Sequence, residues 1–315
     1  MFALLFFFRQ RWDDVSRERL ATTAAKAEEG TIRVEALVRT MPPRAFQAQL
    51  AQMIAGAHRG LAKTLPRQRR PDMTADDLIA FIRSLLNSIA RLALIYDDQP
   101  LSPDGAVTYS ANIMLFVARP IDSNWPTGTV ERLRFYSDDS DPDQLRGVLV
   151  LRPELSATSN IADIPDPDPG VPAIALPVPI EAKRGSRWVA LPGAPKAFLT
   201  DSIDGYDDAV TLSDWCLKSG DFRPSVVDDL RHYFTDGDGK TVRSFISRPL
   251  HGLNGDTLGV LNLHSNQTNI LGDVDERMPA FQAMLTPIFL DLQSAVEILL
   301  QTEAGVRAGL APPGN

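Results

Sequence analysis

A single cysteine, Cys216, stands in a chain of 315 residues. The chain can therefore close no disulfide on itself, and a metal site of the usual several-cysteine kind cannot form from it. A reducing, cytoplasmic setting fits that usage. Histidines are few as well: His58, His232, His251 and His264. None stands in an HExxH or Cys/His spacing, so no metal ligands are predicted. Walker, GxGxxG and GxSxG patterns are missing, which removes the nucleotide-binding and hydrolase classes that announce themselves by motif. No catalytic residue is predicted, and the chain reads as a non-enzyme. Asp236-Gly237-Asp238-Gly239 resembles the start of a calcium loop, but Lys240 and Ser247 fall where that loop needs its fifth and twelfth oxygen ligands. The stretch reads as a plain turn.

Long apolar runs are missing too. Phe2 to Phe8, FALLFFF, is strongly apolar but far short of the roughly 20 residues that span a bilayer. No small-residue cleavage site follows it, which argues against a secretory signal. Three readings stay open: the end of a membrane helix that starts upstream, an interfacial anchor, or a buried helix turn. The flanking Arg9 and Arg11 favour the cytoplasmic side in the first.

Charge is unevenly spread. Residues 1–71 carry 13 Lys/Arg against 6 Asp/Glu, a balance of +7, and the remainder carries 19 against 34, or −15, which together give the net charge of −8. The acidic part is a poor partner for nucleic acid, because phosphate neutralisation needs clustered Lys and Arg. The basic run Arg67, Arg69, Arg70 before Pro71 is a solvated boundary or a contact for anionic lipid or a partner.

Proline is abundant, with 24 residues, and it punctuates a clear element pattern. Residues 13–71 read as helical: 13–29 are Ala-, Arg- and Glu-rich, Gly30 interrupts them, and the heptads over 13–40 are not sustained enough to assert a dimeric coil. Pro42 and Pro43 open a helix over 44–63. Thr74 caps a helix to Tyr96, whose Leu78, Ile82, Leu85, Ile89, Leu92 and Ile95 form one apolar stripe. Residues 107–117 are a strand with Ala111, Ile113, Leu115 and Val117 on one face and Ser110, Asn112, Met114 and Phe116 on the other. Strands over 130–136 and 145–151 are expected to form a hairpin around the acidic turn 138–143. Residues 156–172, rich in Pro and Asp, read as a surface insertion. Ala173 to Ile180 is an edge strand or extended segment. Short helices follow over 193–200, 212–220 and 224–234. Strands over 243–248 and 257–264 join around Asn254-Gly255, a strong hairpin signal. A last helix over 279–302 carries Pro287, which predicts a kink or break, and the tail 303–315 reads as disordered.

The strand pair SFISRPL and LGVLNLHS, the hairpin between them and the helix that follows resemble the closing segment of GAF domains, and the order of elements over about residues 74–302 resembles the whole GAF arrangement. Residues 1–71 precede that unit. The resemblance implies an α+β fold in which an antiparallel sheet is backed on one face by the first and last helices. Crossover helices and loops cover the other face, where a ligand cavity can form. It also implies a sensory or signalling role, with a module that binds a small molecule. The alternative is a ligand-free scaffold for protein interaction or homodimerisation. No cofactor is named by the residues. Asn266-Gln267 and Leu271 depart from the Asn-Lys and Phe of the cyclic-nucleotide signature, although Asp275 and Glu276 are present. Cys216 is followed by Leu217 rather than the His common beside bilin-bearing cysteines.

Alternation supplies the site. Asn112 with Met114 and Phe116 on one strand, and Asn262 with His264 on another, would share a cavity if both faces point at the crossover. Otherwise they hydrogen-bond to crossover backbone. Arg231, on a crossover helix, reaches an anionic ligand or lies on a solvated face. These six residues are the predicted ligand contacts, and a membrane contact is expected only through the N-terminus.

Overall fold

A computed structural model of the chain describes residues 42–64, 74–98, 107–122, 124–136, 145–159, 167–168, 170–179, 190–272 and 277–307. The chain divides into units 1–42 and 43–315, and apart from Pro42 the described residues belong to the second. The apolar run Phe2 to Phe8, the helical segment 13–40, the basic run 67–70, the acidic turn 138–143, Asp275 with Glu276, and the tail from 308 onward lie outside the described residues.

Two helices open the second unit, α1 (Arg44–Thr64) and α2 (Ala75–Tyr96). Thr74 caps α2 as expected: its hydroxyl accepts from Asp77 N, and the Asp77 side chain returns to the Thr74 N–H, so two orphan donors are satisfied at once. The strands are β1 (Tyr109–Ala118), β2 (Leu145–Thr158) and β3 (Ala175–Pro179). The crossover holds α3 (Ala194–Thr200), a short strand β4 (Asp204–Tyr206), α4 (Leu212–Ser219) and α5 (Pro224–Thr235). The hairpin β5 (Ser244–His251) and β6 (Thr257–Ser265) then leads to α6 (Arg277–Arg307). The sheet has six strands in the order β3-β2-β1-β6-β5-β4, and every strand pair is antiparallel. This is the α+β, GAF-like arrangement that the sequence implied.

One sheet face carries Ala111, Ile113 and Leu115 of β1, Leu261 and Leu263 of β6, and Ile246 of β5 into a single core with α2 and α6. The stripe Leu78, Ile82, Leu85, Ile89, Leu92, Ile95 is buried throughout. Each fully buried Leu or Ile of that kind is worth about 1.5–3 kcal/mol. By length and apolar composition α2 and α6 would pass as membrane spans; here their apolar surface is spent on the sheet and on each other. Phe46 of α1 is fully buried and meets the Tyr96 ring edge-on at 5.2 Å. The boundary expected at 71–74 therefore does not separate α1 from this core.

Several local expectations are corrected. Residues 130–136 form turns with one parallel bridge, Leu133 to Ala175, instead of a strand. Phe135 has φ 56°, a left-handed conformation no strand interior accepts. β2 is correspondingly longer, and Ser156 to Thr158, expected at the start of an insertion, are its end. Its pairing with β1 jumps from Asn112↔Ser156 to Met114↔Leu151, so Arg152 to Leu155 bulge out and Pro153 is accommodated without a ladder bond. The last helix runs unbroken through Pro287 to Arg307, past the expected end at Thr302. Leu285 and Ile288 on either side of the proline are fully buried, and packing there outweighs the lost bond.

Gly259 of β6 lies opposite Leu115, and a Cβ on it would stand 2.1 Å from the Met114 carbonyl oxygen. Gly259→Ala must push β1 and β6 apart, so a loss of about 1–3 kcal/mol is expected. Urea denaturation checks it; a change within ~0.5 kcal/mol would contradict the close approach.

Candidate functional site

The sheet face opposite α2 and α6 meets α3, α5 and the loops around them over a cavity of about 370 Å³. Alternation on β1 and β6 delivers its polar strip. Asn112 and Asn262 are direct cross-strand partners, as are Ser110 and His264. On the other side of β6, Ser247 faces Asn262 and Phe245 faces His264. The side chains form a chain: Ser247 Oγ donates to Asn262 Oδ1 at 2.7 Å, and Asn262 Nδ2 donates to Asn112 Oδ1 at 2.9 Å. Among the described residues the two asparagines thus bond to each other and to a neighbouring strand.

His264 lines the same cavity and is half-buried. Burial lowers its pKa from the ordinary 6.5, opposed by the Asp168 carboxylate nearby. Asp168 is held in place by its own backbone: its N–H donates to Ser156 Oγ at 2.9 Å, and its Oδ1 accepts from Gly170 N at 2.9 Å.

The remaining wall is apolar and aromatic. Phe135 packs edge-on against Tyr233 at 5.3 Å, and Phe234 stacks with Phe245 at 6.2 Å. Burial pushes the Tyr233 hydroxyl up to about 12; Asp238 adds to the rise and Arg134 opposes it. Gly193 starts α3 at φ 87°, and a Cβ there would meet the Phe245 ring at 2.8 Å. Only glycine allows both the conformation and that approach. Its N–H donates to Asp204 Oδ2 at 2.7 Å, while Lys196 pairs with the same carboxylate at 2.6 Å, so the rim beside Phe245 is firmly tied.

Of the six predicted contacts, Asn112, Met114, Asn262 and His264 line the cavity. Phe116 does not: it stacks on Phe198 at 4.5 Å, beside the cavity. Arg231 is exposed on α5, is engaged by Asp228 at 3.1 Å and Asp214 at 3.6 Å, and is not among the described residues that line the cavity. Sequence reasoning missed Phe245 and Ser247, which the same two-residue alternation on β5 could have found. It also missed Phe135 and Asp168, for which no local pattern exists. Cys216, on α4, is buried against Val227 and Leu230 of α5; burial pushes its thiol up to about 11, and it is not among the residues that line the cavity. Among the described residues no group of three or more His, Cys, Asp or Glu is placed to hold a metal.

No protein-family model matches the chain, and no curated protein matches it. Solved structures do. The GAF domain region of a protein from Geobacter sulfurreducens PCA, described as a membrane protein, aligns at 16% identity over 70% of this chain and 94% of its own, with a TM-score of 0.31. A protein from Burkholderia vietnamiensis, described as a GAF sensor, aligns at 13% identity over 85% and 98%, with a TM-score of 0.33. A third structure, described as the GAF domain, aligns at 10% identity over 71% and 94%, with a TM-score of 0.30. The GAF-like assignment of this chain rests on its strand order and two-faced sheet.

Asn262→Ala is expected to cost about 1–3 kcal/mol, because it leaves Ser247 and Asn112 without their partner; chemical denaturation measures it, and a neutral result would contradict the hydrogen-bonded chain. His264 is expected to titrate below 6.5 in a histidine NMR titration. Its depressed folded-state pKa makes its stability term complete above the unfolded value near 6.5 and lost as pH falls. Stability that rises instead on acidification from pH 7 to 6, relative to His264→Ala, would reverse that sign.

Proposed function

We propose that the chain is a non-enzymatic sensory or signalling module that holds a small molecule between its sheet and its crossover. The observation that carries this reading is the cavity itself. It lies within the roughly 300–1,000 Å³ of small-molecule sites, and its wall is largely apolar, with a few fixed polar groups on a rigid sheet. Asn112, Met114, Asn262 and His264 are the proposed contacts. The non-enzymatic reading has a local argument. The Ser247 hydroxyl is spent on an amide oxygen, which is no base, so the nucleophile and base arrangement of covalent catalysis is not assembled there. A cytoplasmic setting, from the cysteine usage, and a membrane tether through Phe2 to Phe8 belong to the same reading as expectations. A ligand-free scaffold for protein interaction or homodimerisation would use the same fold.

One experiment separates the two. Leu176 lies on edge strand β3 and lines the cavity, and Leu176→Trp should fill it. Native mass spectrometry of the full chain is expected to show a retained small molecule, or a metabolite extract to raise Tm by several degrees, in the wild type and not in the variant. Identical behaviour of the two proteins, with no bound mass in either, would sink the sensor reading.

A further inference from the structure

The charge of the cavity wall narrows what it can hold. Two carboxylates, Asp168 and Asp238, line it, and none of the described lining residues is Lys or Arg. The Arg134 guanidinium acts on Tyr233 but is not on the wall, and Arg231 is paired outside. The amide chain of Ser247, Asn262 and Asn112 is neutral: it can orient a ligand and does not set its charge. An anion in this space would be desolvated beside Asp168 with no Lys or Arg among the described lining residues, which is costly at the reduced dielectric of a protein interior.

The aromatic wall points the same way. Phe135, Tyr233, Phe234 and Phe245 form a run of rings with successive centroid separations of 5.3, 5.0 and 6.2 Å. Ring faces carry negative charge density and attract ammonium groups by about 0.5–2 kcal/mol, most when desolvated. Asp168 is half-buried beside His264, and Asp238 is exposed at the rim. The first is placed to meet a charged head inside the cavity, the second to attract it from solvent.

Resting on the proposal that the cavity takes a small molecule, we propose that this molecule is an organic cation, an amine or quaternary ammonium with an apolar body, its charge met by Asp168 and its body by the aromatic wall. An acyclic or aromatic body is equally compatible with the volume; the charge is the assigned feature.

Three probes of one shape test it against the full chain at 0.15 M salt: 2-phenylethylammonium, 2-phenylethanol and phenylacetate, followed by NMR shift perturbation. The cation is expected to bind about tenfold more tightly than the alcohol, with phenylacetate weakest. Asp168→Asn keeps the acceptor for Gly170 and removes the charge. It should erase the cation's advantage and leave the alcohol's affinity unchanged. Asp238→Asn, at the exposed rim, is the second variant and should weaken the cation about two- to threefold. A cation no better than the alcohol overturns the charge assignment while the cavity reading survives. So does phenylacetate binding first. Failure of all three probes to bind, with Leu176→Trp behaving as the wild type, overturns this inference and the sensor reading together.

Discussion

The pairing of Asn112 with Asn262 across β1 and β6 is the constraint on which the two-faced sheet depends. These strands occupy the middle of the sheet and are covered on both sides. Side chains alternate with a period of two, so a slip by one residue would carry both asparagines into the core with α2 and α6 and turn Ile113 and Leu261 toward the cavity. The amide–amide bond at 2.9 Å forms only in the observed register, and Ser247 extends it to β5 at 2.7 Å. A buried polar chain of this kind contributes modestly to stability when made and costs more when broken. It therefore specifies the arrangement more than it strengthens it. The aliphatic residues that face α2 and α6 provide most of the stability.

The same alternation explains which parts of the site were legible in the sequence. Asn112, Met114, Asn262 and His264 stand on strands whose two faces differ in polarity, so their shared face follows once both strands are recognised. Phe116 has the right parity and still misses the cavity, because it lies toward the far end of β1 and finds Phe198 at 4.5 Å. Parity fixes a face and not a position along it. Arg231 was ambiguous for a related reason: a helix of twelve residues presents most of its surface to solvent, and two aspartates within reach offered it partners. Phe135 was beyond reach, since its place on the wall depends on a left-handed backbone and on Tyr233, which comes far later in the chain.

Prolines misled in both directions, for one physical cause. Pro153 in β2 and Pro287 in α6 each remove a backbone donor, and local reasoning ends the element there. In β2 the bulge between Leu151 and Ser156 places Pro153 where no ladder bond is needed. Arg152, displaced by the same bulge, reaches Glu303 of α6 at 2.8 Å. In α6 Leu285 and Ile288, two residues before and one after Pro287, are anchored in the core. Pro177 and Pro179, by contrast, sit where the rule allows them, on edge strand β3. The rule holds where a segment has little tertiary support and yields where burial supplies more free energy than one hydrogen bond.

The two faces of the sheet are closed by different means, and this is what leaves room for the 370 Å³ cavity on the crossover side. Two long helices lie across the first face and fill it with packed side chains; a pocket there, beside Arg248 and Phe289, holds about 20 Å³. The opposite face is covered by α3, α4 and α5, of 7, 8 and 12 residues, each too short to cover the sheet alone. Their apolar residues gather in separate small clusters instead of one continuous core, and the space between these clusters is the cavity. The strand end beside it is nevertheless fixed. Thr108 N donates to Asn266 Oδ1 at 2.9 Å, and the following loop is tied by Leu271 N to Asp97 at 2.8 Å, where Tyr109 also donates its hydroxyl and Arg277 of α6 approaches to 3.5 Å. Asp97 joins the end of α2, the start of β1 and the start of α6 at one buried carboxylate, whose pKa burial raises against those three partners. Covering the wall with short helices while anchoring its strands to long ones leaves a tied floor under an incompletely packed roof.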